Sequence, residues 1–212
     1  MSAAEQMGRG GWVLFVPVLS LLLVGGAAMG WVFAVRAGGA PGAGRARLEL
    51  TGSCAAEAKL AVETRLADYG LEARIEAPSP TLLVIETQTP GAADDLEALP
   101  RALAQQGRFE VWQGGKVRLT HFVDAGVQLS FAGTAVSLIN LSEAVEAEDT
   151  EVRIDGQNID IESINGGEVM LVAEGKTAPE SLRNATDRVV AIRHPLPCAL
   201  TVGASRWLHP PS

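Results

Sequence analysis

Residues 12–35 (WVLFVPVLSLLLVGGAAMGWVFAV) carry no charged side chain, and this run constrains the chain more than any other feature. As a helix rising about 1.5 Å per residue it spans on the order of 36 Å, enough to cross a hydrocarbon core about 30 Å thick with some tilt. Trp12 and Trp31 lie near its ends, where amphipathic rings favour the membrane interface. Pro17 would be costly in a soluble helix but is tolerated in a membrane one. The competing reading is a cleaved secretory signal, with an apolar core at 14–24 and small residues at 25–28 for the cleavage site. The apolar run continues through Met29, Trp31, Val32, Phe33 and Val35, which favours an uncleaved anchor.

Charge leaves the orientation open. Arg9 and the amino terminus precede the run, offset by Glu5, while Arg36, Arg45 and Arg47 follow it. Taken alone, the positive-inside rule leans toward placing the large part inside, although a long domain crosses with little regard to charge.

The chain has 212 residues, enough for one domain or for two small ones sharing a core. Its net charge of −8, with few aromatics and no basic stretch interleaved with them, excludes nucleic acid as a partner. Cys54 and Cys198 stand far apart and neither is part of a CxxC pair, so zinc-knuckle and thioredoxin-type motifs are absent. Both follow the apolar run and therefore share one side of the membrane. Two readings stand for them: one disulfide, if that side is oxidising, or two unpaired buried thiols.

Beyond a Gly/Ala/Pro linker at 36–46, the soluble part alternates between strand and helix patterns. Residues 47–51 (RLELT) alternate as a strand, and Ser53 is placed to cap a helix running to Tyr69. Ala58, Val62, Leu66 and Tyr69 share one face of that helix, with Gly70 as its C′ residue and Leu71 as the hydrophobic follower. Strands are predicted at 72–76 and 81–87, then a helix at 94–106 in which Pro100 marks a break or kink, then a strand at 109–112. That order is the one of a split βαβ, ferredoxin-like unit with helices on one face of an antiparallel sheet.

Further on, strands are predicted at 127–131, 151–154, 159–164 and 168–173, with turns at Asp155-Gly156 and Asn165-Gly166-Gly167. A short helix is expected at 141–147 and a longer one at 178–192, opened by Pro179, with Leu182, Ala185, Val189 and Ile192 inward. A last strand at 199–202 precedes a tail expected to be disordered.

Catalytic chemistry finds little support. His121, His194 and His209 have no Cys, Asp or Glu at metal-ligand spacing, and His121 with Asp124 reads as a solvated loop pair. No GxSxG elbow, Walker loop or strand-following GxGxxG occurs, and Gly114-Gly115-Lys116 is a turn. The acidic run at 143–151 lacks the spacing and central Gly of an EF-hand. No catalytic residue, cofactor, metal or small-molecule substrate is expected.

Several short stretches, in order, resemble the first large periplasmic region of SecD, the accessory subunit of the bacterial Sec protein-export machinery. They are Arg65-Leu66-Ala67-Asp68-Tyr69-Gly70-Leu71; 81–86 with Pro90-Gly91; Phe109-Glu110-Val111; 127–131; Ile154-Asp155-Gly156 with Gly166-Gly167; and Arg193 with Leu196-Pro197-Cys198-Ala199-Leu200. The resemblance implies an α+β fold: a ferredoxin-like base built from both ends of the region, with an α+β head subdomain inserted. The strand at Leu200 would then return beside the strand at Leu48, bringing Cys54 and Cys198 into one subdomain.

The resulting expectation is a cytoplasmic segment at 1–11, a transmembrane helix at 12–35, the linker at 36–46, a base at 47–118, a head at 119–194, a return strand at 195–203 and a tail at 204–212. The SecD family continues into several membrane helices with an ionisable group for proton coupling. No second apolar stretch or intramembrane charge occurs here, so a complete proton-driven motor is not expected. The resemblance implies a single-pass protein of the bacterial inner membrane with its large part periplasmic. Its implied partners are the lipid bilayer, Sec translocase subunits and unfolded exported polypeptide; an envelope scaffold without an export role is the rival reading.

Overall fold

A computed structural model of the chain describes residues 44–89, 95–129 and 134–210. The expected cytoplasmic segment, membrane helix and most of the linker lie outside these residues; among the described residues no helix is long and apolar enough to cross a membrane.

The element order is β1 (Gly44–Thr51), α1 (Ala55–Asp68), β2 (Ala73–Ser79), β3 (Leu82–Thr89), α2 (Asp95–Ala104), β4 (Phe109–Gln113), β5 (Lys116–Leu119), β6 (Phe122–Leu129), β7 (Ala135–Leu141), β8 (Thr150–Ile154), β9 (Gln157–Ile159), β10 (Ile161–Asn165), β11 (Glu168–Val172), α3 (Ala178–Arg193) and β12 (Thr201–His209).

Helix α1 forms because its apolar residues repeat at helical spacing: Ala58, Val62, Leu66 and Tyr69 are all buried. It stops in a Schellman motif. Gly70 adopts φ +68°, the Leu71 N–H reaches the Leu66 carbonyl at 2.9 Å, and the Gly70 N–H reaches Ala67 at 2.8 Å. At the other end Cys54, not Ser53, occupies the N-cap, and its side chain makes no capping bond. Ser53 turns toward Cys198 instead, Oγ to Sγ 3.7 Å.

The first sheet has the order β12-β1-β3-β2, antiparallel throughout, with α1 and α2 packed on one face. This is the ferredoxin-like arrangement, but its fourth strand comes from the end of the chain. Phe109–Gln113, which the sequence order places in this sheet, pairs instead with β5 and β8. The chain turns away at Gly107 (φ +77°), and Phe109 and Val111 bury their side chains in a second core with Val152 and Ile154. Strand β12 fills the vacant slot because Val202 and Trp207 pack on the first core. Residues 205–209, expected to be disordered, are therefore part of a strand, and the tertiary pairing with Arg45–Leu48 is what orders them. In the same way Gly44, Arg45 and Ala46 belong to β1 rather than to the linker.

The inserted head is built from two four-stranded sheets, β10-β11-β7-β6 and β5-β4-β8-β9, with α3. Its strand β7 (AVSLINL) was not expected from the sequence, yet it is interior to its sheet. The helix expected at 141–147 does not form. Leu141 ends β7, and Val145 is drawn in an open turn across the β10–β11 hairpin, its N–H on the Gly166 carbonyl at 3.0 Å, with the side chain buried. Pro100 does not break α2, which runs through it. The Asp155-Gly156 turn closes β8 and β9 in two residues with φ +54° and +78°, as a type I′ hairpin requires.

Candidate functional site

Two places in this fold concentrate unusual chemistry: the junction of base and head, and the outer edge of the head. The junction is organised by Arg65. It lies on the apolar stripe of α1, between Val62 and Tyr69, and its side chain is wholly buried. A guanidinium sealed from water must spend its donors on protein acceptors. Arg65 gives its Nε to the His194 carbonyl at 2.9 Å and its Nη1 to Leu103 at 2.9 Å and Gln105 at 2.6 Å. Its Nη2 reaches Ala191 at 3.1 Å and His194 at 2.7 Å. These acceptors are the end carbonyls of α2 and α3, the groups a helix leaves unsatisfied and where its dipole is negative. Burial pushes the Arg65 guanidinium down to about 10, so it remains charged at neutral pH.

Around it, Tyr69 Oη donates to Asp187 Oδ1 at 2.9 Å in a buried contact, and His194 Nε2 lies 3.0 Å from Asp68 Oδ2. The Leu196 N–H bonds the Gln106 carbonyl at 2.8 Å, so the outgoing and returning strands of chain touch where the head joins the base. Gly107 is required at this point: its φ is positive, and a Cβ there would overlap the Ala191 carbonyl oxygen. Cys54 and Cys198 also meet in the base, with Sγ atoms 2.00 Å apart and a sequence separation of 144.

The second place is the outer edge of the head at β5 and β6, each the outermost strand of its own sheet. Large apolar side chains exposed on the described surface are Leu60, Val117 of β5, and Val123 and Leu129 of β6. Val123 is 73% exposed and Leu129 51%. Val117 stands across from Trp112, whose ring carries the Arg153 guanidinium 4.1 Å from its centroid.

Strand β6 is the outermost strand of its sheet, so one row of its backbone groups faces away from β7. Two other sheet edges are blunted. Strand β2 carries Pro78 and alternating Arg74 and Glu76, and β9 has only three residues. Strand β6 has a register shift at its start, but Asp124 to Leu129 pair regularly with β7. Its one charge, Asp124, is neutralised by Arg193 Nη2 at 3.0 Å. The Ala125 backbone N–H and then the Arg193 guanidinium hold that carboxyl below the usual carboxylate range.

The residues weighed for catalysis or metal binding do not converge. His121 Nδ1 pairs with the Thr120 hydroxyl at 3.0 Å rather than with Asp124. In the acidic run, Glu143 pairs with Arg118 and Glu151 with Arg153. Among the described residues no group of three or more His, Cys, Asp or Glu could hold a metal ion. Sequence reasoning missed Arg65 as a keystone, although a signal was present: a charged residue standing on an otherwise apolar helical stripe.

No protein-family model matches the sequence, and no curated protein matches it. Among solved structures, SecDF in its super-membrane-facing form aligns with a TM-score of 0.56 and 14% identity, over 92% of this chain and 35% of that one. The chain thus spans about a third of that protein. A second structure, of SecDF as a membrane component that enhances protein export, aligns with a TM-score of 0.50 and 14% identity, over 76% of this chain and 99% of that one. At this identity the likeness is one of fold, and the protein has a SecDF-like α+β fold.

Proposed function

We propose that this protein is a membrane-anchored accessory of Sec-type protein export. Residues 12–35 hold it in the bacterial inner membrane by a single span, and its α+β body, base and inserted head, lies in the periplasm. The head makes non-covalent contact with translocating polypeptide or with a translocase subunit, and no bond is made or broken. The observation that carries this reading is the open edge strand β6, with its exposed valine and leucine, on a SecDF-like fold. An unpaired strand edge beside Val123 and Leu129 suits an extended chain, whose backbone pairs with the edge while its side chains meet the valine and leucine. The proximity of Cys54 and Cys198 supports an oxidising compartment.

A photo-crosslinking residue at Val123 or Leu129 of the full chain, in secreting cells, is expected to trap an exported polypeptide or a Sec subunit. Trapping only other envelope proteins would favour the scaffold reading, and trapping nothing would remove the export role. Protease added to spheroplasts is expected to degrade the body; protection until lysis would overturn its periplasmic placement.

A further inference from the structure

The open face of the first sheet, opposite α1 and α2, carries charged side chains in register. Strand pairing sets Arg206 of β12 beside Arg47 of β1, Arg47 beside Glu86 of β3, and Glu86 beside Arg74 of β2. The level is three arginines to one carboxylate, and Arg45 follows one level nearer the start of β1. Like charges directly opposite each other on neighbouring strands repel, so the Arg47–Arg206 pair opposes folding.

Nothing on the described surface relieves it fully. Glu86 is shared, 3.4 Å from Arg45 and 3.8 Å from Arg47. Arg74 is turned to Glu76 at 2.7 Å. The Arg47 Nε is shielded from solvent yet has no hydrogen-bond partner, and Glu49 stands 3.7 Å away from it, beyond hydrogen-bond range. Arg206 is exposed and makes no ion pair among the described residues. A pairing that weakens the sheet and leaves one guanidinium nitrogen without a hydrogen bond marks a place where a ligand completes the structure. Two guanidinium forks on adjacent strands suit a phosphate.

We propose that Arg47 and Arg206, flanked by Arg45, seat the phosphate of an anionic lipid headgroup, so that the open face of the base rests against the bilayer. A lipid rather than a soluble phosphate is favoured by where the chain enters. Only residues 36–43 separate the apolar run from Gly44. Eight residues reach at most about 29 Å, which keeps this end of the sheet near the headgroups. The chain as a whole carries −8 and is repelled by an anionic surface, so a local arginine pair would also fix which side faces it. The proposal rests on reading 12–35 as the anchor.

The test uses the full chain in nanodiscs of phosphatidylcholine with or without phosphatidylglycerol, followed by hydrogen exchange across Thr201–His209. Phosphatidylglycerol is expected to slow exchange there several-fold, and Arg206→Glu to abolish that protection. The same substitution removes the like-charge pair, so its unfolding midpoint in detergent is expected to be unchanged or raised. Equal exchange in both kinds of disc overturns the proposal, as does protection that survives in Arg206→Glu. Protection of the same size from inorganic phosphate over phosphatidylcholine would assign the seat to a soluble anion and likewise overturn it. Carbonate-resistant incorporation reports on the anchor separately. If the chain does not incorporate, flotation with preformed phosphatidylglycerol vesicles decides: flotation lost in Arg206→Glu upholds the seat, and no flotation rejects it.

Discussion

Arg65 ties three helices together, because the donor groups on its one plane reach the ends of two helices from a third. Replacing it with methionine keeps the volume but strands the buried carbonyls of Leu103 and Ala191 and removes the donors to Gln105 and His194. Breaking a buried charged network in this way typically costs about 3–5 kcal/mol. Arg65→Met is therefore expected to lower the urea midpoint strongly, and Arg65→Lys to recover only part, since a single ammonium cannot span both helix ends. On the head edge, Asp124 offers a cleaner electrostatic readout. Its carboxyl titrates below the usual value of about 3.9 because the Ala125 N–H and Arg193 favour the charged form. A depressed carboxyl contributes stability above its unfolded value and loses it as pH falls through the folded one. A carboxyl NMR titration is expected to place Asp124 below about 3.9, and Arg193→Gln to move it upward.

Among the elements, the link between the start of α1 and the chain before β12 is the most consequential. Cys54 and Cys198 would close a loop of 144 residues that contains the whole head. In the chain-entropy treatment a crosslink of that span stabilises the fold by about 5 kcal/mol, an upper estimate. A reductant, or Cys54→Ala with Cys198→Ala, is expected to lower the thermal midpoint by many degrees while leaving far-UV circular dichroism at low temperature unchanged. No change in midpoint on reduction would mean that the sulfurs are not bonded in the isolated protein. Element prediction from sequence succeeded where local signals were strong. The Gly70 stop of α1, the Asp155-Gly156 turn and the opening of α3 at Pro179 all follow from backbone chemistry within a few residues. It failed at β7, whose interior position is earned from neighbours, and at 141–147, where burial of Val145 outweighs helix propensity.

For the molecule as a whole, the head is an insertion whose two ends meet at the Gln106–Leu196 hydrogen bond. Joining Gln106 to Leu196 through a short Gly/Ser linker is therefore expected to leave a base that still unfolds cooperatively. Its midpoint should be lower, because Arg65 loses the acceptors on Ala191 and His194 and the first core loses Val190. A non-cooperative melt would show that the base cannot stand without α3. By itself the sequence determined the apolar run, the amphipathic faces of α1 and α3 and most hairpin turns, because each depends on side chains spaced along a few residues. The return of a C-terminal strand beside Leu48 was implied by the family resemblance; only the tertiary structure decided that β4 leaves the first sheet, that the returning strand runs on to His209, that Arg65 lies among carbonyls and that Arg47 faces Arg206. Those outcomes depend on which distant segments compete for the same backbone edge or buried space, and local spacing carries no record of that competition.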